Sequence, residues 1–134
     1  MSLTDYFFCY RDAKAAVLCY AVDEEASWNR VKHWVEELKK AEPGCQIYIC
    51  ATKIDLLSQP NFTPAVDASK TQDYCRQVEA NLFETSSLLG KGVTELFDQI
   101  ARDYIRLHLV EDHHDADNED LTLLNRGRHA FARA

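Results

Sequence analysis

Glycine is scarce in this 134-residue chain, with four residues at positions 44, 90, 92 and 127. None is spaced as G-x-x-x-x-G-K-[ST], so the sequence holds no glycine-rich loop of the kind that cradles phosphates on backbone N–H groups. Basic charge is in deficit: 15 Lys and Arg face 22 Asp and Glu, for a net charge of −7. That balance argues against a nucleic-acid backbone or an anionic membrane surface as the main partner. Long apolar runs are missing too. The longest spans residues 15–22, far short of the roughly 20 residues a membrane span needs. The first dozen residues carry Asp5, Arg11 and Asp12, with no basic start leading into an apolar stretch, so no secretory leader is expected. Five cysteines make an odd count without a C-x-x-C, which excludes a zinc ribbon and reads as reduced thiols of a cytoplasmic protein.

What is present is an ordinary globular mixture, 46% hydrophobic and 28% charged. The acidity is uneven. Residues 111–134 hold 6 acidic and 3 basic side chains in under a fifth of the length. They read as an acidic, disordered tail behind a domain of residues 1–110. Leu121, Leu124 and Phe131 fit one face of a short helix in that tail. His113 and His114 beside Asp115 and Asp117 read as solvated residues rather than a metal site.

Two hydrophobic periods alternate before the tail. Residues 15–22 form a continuous apolar run, as a strand buried on both faces does. Trp28, Val31, Val35 and Leu38 follow at helical spacing, a pattern that favours core packing over a ligand stack for Trp28 and Trp34. Pro43 and Gly44 end that helix. Residues 46–52 are a second buried strand. Asp67 is placed to cap a helix with Ala68, Tyr74, Cys75 and Val78 inward. Residues 82–85 are a short third strand. Val93, Leu96, Phe97, Ile100, Ala101 and Tyr104 then line an amphipathic helix, while His33 and His108 sit on helix surfaces. The order β-α-β-α-β-α implies an α/β fold with a parallel sheet and right-handed crossovers.

Ligands of such sheets bind beyond the carboxyl ends of the strands. The second strand runs into Thr52, Lys53, Ile54 and Asp55. A carboxylate there can accept two parallel hydrogen bonds from guanine's ring N–H and exocyclic amine, with a lysine stem along the purine face. Taken alone, T-K-x-D is a weak signal and reads first as a solvated turn. The third strand runs into Glu84, Thr85, Ser86, Ser87 and Leu88, where small residues let a backbone N–H approach a purine carbonyl, or simply make a turn. The two clusters fall on neighbouring strand ends, and so on one rim.

Together these segments resemble the C-terminal part of a Rab-type small GTPase of the Ras superfamily, over residues 8–107. Thr52-Lys53-Ile54-Asp55 resembles its N/T-K-x-D motif, and Glu84-Thr85-Ser86-Ser87-Leu88 its E-T-S-A-K motif. Tyr10-Arg11-Asp12-Ala13-Lys14 resembles the Y-R-x-A segment before the fourth strand. Ser27-Trp28, Trp34 and Val93-x-x-Leu96-Phe97 match helix segments. Gly44 to Cys50 with a Thr-led motif most resembles the Rab twenty-four subgroup.

The resemblance implies a partial P-loop GTPase fold, N-terminally truncated, with the first strands missing. The family's first strand lies beside residues 15–22, so that strand is expected to be a bare apolar edge. For the site it implies a guanine-base pocket of Thr52, Lys53, Asp55, Ser86, Ser87 and Leu88. Asp55 reads the base, Lys53 lies over it, and the Ser87 N–H meets the purine oxygen. Thr52 replaces the usual Asn, and Leu88 the usual Lys. GTP or GDP is the implied ligand, held weakly or not at all, because the P-loop, the switch I threonine and D-x-x-G have no counterpart here. No magnesium site and no hydrolysis are then expected. Effectors or regulators of Rab GTPases are the implied partners, in vesicle or autophagy-related membrane traffic, with relatives found at endomembranes. The chain closes on Phe131-Ala132-Arg133-Ala134 without the family's prenylated cysteine, so no stable membrane anchor is expected. The rival expectation is a non-enzymatic interaction module, or a truncated isoform competing for partners of the full-length GTPase.

Overall fold

A computed structural model describes residues 10–109 and the backbone of residues 130–133. The elements are β1 (Ala15–Ala21), α1 (Glu25–Ala41), β2 (Gln46–Thr52), a 3-10 turn (Ile54–Ser58), α2 (Ala68–Val78), β3 (Asn81–Glu84), α3 (Val93–His108) and β4 (Ala130–Arg133). The β-α-β-α-β-α order stands, and all strand pairs are parallel, in the spatial order β3-β2-β1-β4.

β1 and β2 are the centre of the sheet, in register from Ala15 opposite Gln46 to Ala21 opposite Thr52. Their near-continuous apolar sequences follow from burial on both faces. On one face Ala16, Leu18, Tyr20, Ile47, Ile49 and Ala51 meet Trp28, Val31, Val35 and Leu38 of α1 and Cys75 of α2. Trp28 packs edge-on against Tyr20 and Tyr74, with ring centroids 5.0 and 5.3 Å apart. It is a core residue, as its helical spacing suggests. On the other face Ala15, Val17, Tyr48 and Cys50 form a second cluster with Leu96 and Ile100 of α3, with Cys19 and Phe83 packed against it.

Helix ends follow local chemistry. Asp67 caps α2, its carboxylate accepting from the Ser69 N–H at 2.9 Å and the Ser69 hydroxyl at 2.7 Å. Those bonds hold its carboxyl below the usual range. Thr71 is buried in α2 where Ala68 was expected to be. Its hydroxyl reaches back to Ala68 O at 2.9 Å, so a polar side chain fits the core-facing position.

Two expectations need correction. The outer edge of β1 is not bare: Ala16, Val17, Leu18 and Cys19 pair with Ala130, Phe131, Ala132 and Arg133. Unpaired N–H and C=O groups of an inner strand favour any extended segment that reaches them, and β4 supplies one. Phe131 is therefore in a strand rather than on a helix face, and residues 130–133 are not part of a structureless tail. Leu121, Leu124, His113 and His114, and the initial residues 1–8, lie outside the described residues. Among the described residues no helix is long and apolar enough to cross a membrane, and no cluster of three metal-ligating side chains occurs.

Candidate functional site

The carboxyl ends of β1, β2 and β3 form one rim. β2 closes with Thr52, whose hydroxyl donates to Tyr20 O on β1 at 3.0 Å. Lys53 takes a left-handed backbone, φ +61°, which turns the chain sharply out of the sheet. The turn lets the Ile54 N–H reach Thr85 O at 3.2 Å, so the two loops run together.

Asp55 stands at the start of the 3-10 turn. Its Oδ1 accepts from the Ser86 hydroxyl at 2.6 Å, across 31 residues of sequence. Ser86 is fully buried. Its Oγ also accepts from the Leu89 N–H at 3.2 Å, and its backbone exchanges both hydrogen bonds with Lys91 at 2.9 Å. Ser86 is thus the anchor of the rim, and it fixes the direction of a carboxylate that is itself half-buried. Oδ2 of Asp55 accepts no hydrogen bond among the described residues. A carboxylate oxygen can accept more than one bond, so Oδ1 keeps capacity as well.

Of the six residues expected at a guanine pocket, the structure joins Asp55 directly to Ser86 and seats Thr52 beneath them. Lys53 turns toward β1, where its ammonium lies 3.1 and 3.2 Å from the two Asp23 oxygens. Ser87 is exposed, and Leu88 is 79% exposed. An open cavity of about 490 Å³ lies at the opposite, amino end of β2, lined by Lys39, Pro43, Cys45, Gln46, Ile47, Val78 and Glu79.

Three positioning residues escaped the sequence reading. Ser27 is buried, accepts from the Ala21 N–H at 2.9 Å and donates to Glu24 O at 2.6 Å, tying the end of β1 to α1. The S-W pair marked it only as a helix segment. Gly92 starts α3 at φ +80°, and a Cβ there would lie 2.1 Å from Glu84 O. It permits α3 to begin against the β3 end that leads into Thr85 and Ser86. Thr85 is buried, donates its N–H to Ala51 O at 2.8 Å and sets its hydroxyl 3.1 Å from Cys50 Sγ.

Residues 3–106 match the sequence model of the Ras family. The chain belongs to the Ras family. Its relatives are of the Rab type. "Ras-related protein Rab-24" of Dictyostelium discoideum is 41% identical over 97 residues, covering 72% of this chain and 48% of the relative. "Ras-related protein Rab-21" of Mus musculus is 34% identical over 105 residues, covering 77% of this chain and 45% of the relative. "GTP-binding protein ypt5" of Schizosaccharomyces pombe is 32% identical over 94 residues, covering 69% and 43%. This Ras-family chain therefore spans about half the length of the curated relatives it matches. Its α/β parallel architecture is that of a partial Ras-like fold, and its rim residues come from the matched region.

Proposed function

We propose that residues 1–110 carry the guanine-reading half of a Rab-type GTP/GDP site, with an acidic stretch, residues 111–129, between them and β4. The carrying observation is the Asp55 carboxylate at the strand ends, fixed by buried Ser86, its Oδ2 accepting no hydrogen bond among the described residues. Guanine presents two adjacent N–H donors that match a fixed carboxylate, and adenine does not. Thr52 braces the loop, the stem of Lys53 offers a face for the base, and the Ser87 N–H serves the purine oxygen. Leu88 contributes apolar cover without charge. With no phosphate loop in these residues, most of the nucleotide's charge meets no partner. Binding is then weak and independent of magnesium, and this chain by itself does not hydrolyse GTP.

The test is an NMR titration with guanosine, inosine and adenosine monophosphates. Guanosine shifts the amides of Asp55, Ser86 and Ser87. Inosine, lacking the exocyclic amine, binds roughly 10- to 150-fold more weakly, since a hydrogen bond to a charged group contributes about 1.5–3 kcal/mol. Asp55→Ala removes the response. Equal shifts with adenosine, or none with guanosine, would refute the reading. Tight magnesium-dependent GDP binding would refute the missing phosphate half.

The Rab-type relatives support a role in vesicle or autophagy-related membrane traffic, in the cytoplasm and at endomembranes, as part of this reading. A second reading is an interaction module that competes for effectors or regulators of full-length Rab GTPases. Exposed Val93 (37%) and Ile105 (52%) on α3 favour it. Partner binding that survives Asp55→Ala supports this reading, and its loss supports the first.

A further inference from the structure

Cys19 of β1 and Cys50 of β2 are directly opposed in the parallel ladder. Both point to the α3 face, where Cys50 is a core residue and Cys19 packs against that core half-buried. Adjacent strands lie about 4.8 Å apart, inside the Cα separation of roughly 4.4–6.8 Å that a disulfide bridges. Cys19 is half-buried, so a small oxidant can reach its sulfur.

We propose that Cys19 and Cys50 form a redox modification site, a thiol pair that a hydroperoxide converts to a disulfide joining β1 to β2. The pair has the chemistry for it. The Cys19 thiol hydrogen-bonds the Cys50 sulfur, and the Thr85 hydroxyl lies 3.1 Å from it. Those two bonds draw the Cys50 thiol down to about 7 against the opposing effect of burial. The solitary thiols behave in the opposite way: burial pushes Cys45 and Cys75 up to about 11. They serve as internal controls.

The reaction balances as follows. Cys19 passes its proton to the Cys50 thiolate and attacks the terminal oxygen of the hydroperoxide. The O–O bond breaks, giving a Cys19 sulfenic acid and an alkoxide, which takes a proton from solvent. Cys50 then attacks the Cys19 sulfur. The S–S bond forms, the S–O bond breaks, and the Cys50 proton leaves with the hydroxide as water. Two electrons pass from the sulfurs to the peroxide. Forming the bridge draws Cys50 Sγ away from Thr85, which is next to Ser86 on the rim. The proposal stands whether or not guanine binds there.

The experiment treats the full chain, and a Cys9→Ala, Cys45→Ala, Cys75→Ala version of it, with tert-butyl hydroperoxide. Free thiols are then alkylated and the tryptic peptides weighed. The expected product links peptides 15–30 and 41–53 through Cys19 and Cys50, two hydrogens lighter and restored by dithiothreitol. Before oxidation, iodoacetamide at pH 7 labels this pair at least tenfold faster than Cys45 or Cys75. Cys19→Ser abolishes the link. The unsubstituted chain, with the link located by peptide fragmentation, gives the same readout without relying on how the variants fold. Cys19 and Cys50 remaining fully alkylatable after peroxide would overturn the proposal, as would linkage of either one to a different cysteine.

Discussion

The two faces of the sheet are held in different ways. The α1/α2 face is sealed by area: Leu18, Val31, Val35 and Ile49 are almost wholly buried there. On the α3 face the hydrophobic cluster has six buried members among the described residues, and point fastenings add to it. Gly92 brings the start of α3 onto the backbone at Glu84. Near its other end, buried Asp103 accepts from the Tyr48 hydroxyl at 2.7 Å, Gln99 at 2.9 Å and Arg106 at 3.2 Å. Burial and that bond push the Tyr48 phenol well above its ordinary value, so it stays a donor. Among the described residues, the amphipathic stripe of α3 runs on past this cluster to exposed Ile105, and half-buried Cys19 lies on the same face of the sheet. A helix can thus be strongly amphipathic in sequence and only half-covered in the fold.

The largest effect is expected where area does the holding. Leu18→Ala should cost about 2–5 kcal/mol in urea unfolding, against about 0.5 kcal/mol or less for Ile105→Ala on the open side of α3. Equal losses would break the contrast. Next comes the fastening at the start of α3. Gly92→Ala combines a left-handed backbone with a clash at Glu84 O, and should cost about 1–3 kcal/mol or more while shifting the amides of Glu84 and Thr85. Gly90→Ala, at φ +62° with open space around it, should cost about 1–2 kcal/mol and leave those amides in place. Tyr48→Phe should cost about 1–3 kcal/mol, because Asp103 loses one of three donors in a buried site. A cost near zero would show that Gln99 and Arg106 suffice.

The smallest effect is in the pH dependence. Cys50 titrates near 7 in the fold, below its ordinary value near 9. Its stabilising contribution is present above that ordinary value and is lost as pH falls through about 7. Cys75 is raised to about 11, so its contribution is complete below its ordinary value near 9 and fades as pH rises toward 11. Urea unfolding between pH 6 and 10 should therefore show the cost of Cys50→Ala growing with pH and that of Cys75→Ala shrinking. Parallel profiles would remove the distinction between the paired and the solitary thiol.

Local features were legible wherever one side chain answers to its own neighbours in sequence. The apolar runs gave β1 and β2, with β1 ending at Ala21 while Val22 stays buried just beyond it. The short third strand is offset by one residue, at Asn81–Glu84 rather than 82–85. A four-residue edge strand has too few alternations to fix its ends. Asp67 was readable as a cap because its bond spans two residues. Ser86 was readable only as part of a motif, since its bond to Asp55 closes a loop of 31 residues. Ser27, Gly92 and Asp103 were not readable as positioning residues, because their roles depend on what another element places beside them. The edge pairing of β4 lay furthest from reach: Ala130 to Arg133 carry no strand period long enough to stand out.

The sequence by itself determined the alternation of strands and helices, the position of the rim motifs and the absence of a phosphate loop, because these follow from hydrophobic period and motif spacing along the chain. Only the tertiary structure decided that Ser86 holds Asp55, that Cys19 faces Cys50, that the two faces of the sheet are held in different ways and that β4 closes the β1 edge. Each depends on register between strands or on approach between distant segments, and those are set by packing of the whole sheet rather than by any local run of residues.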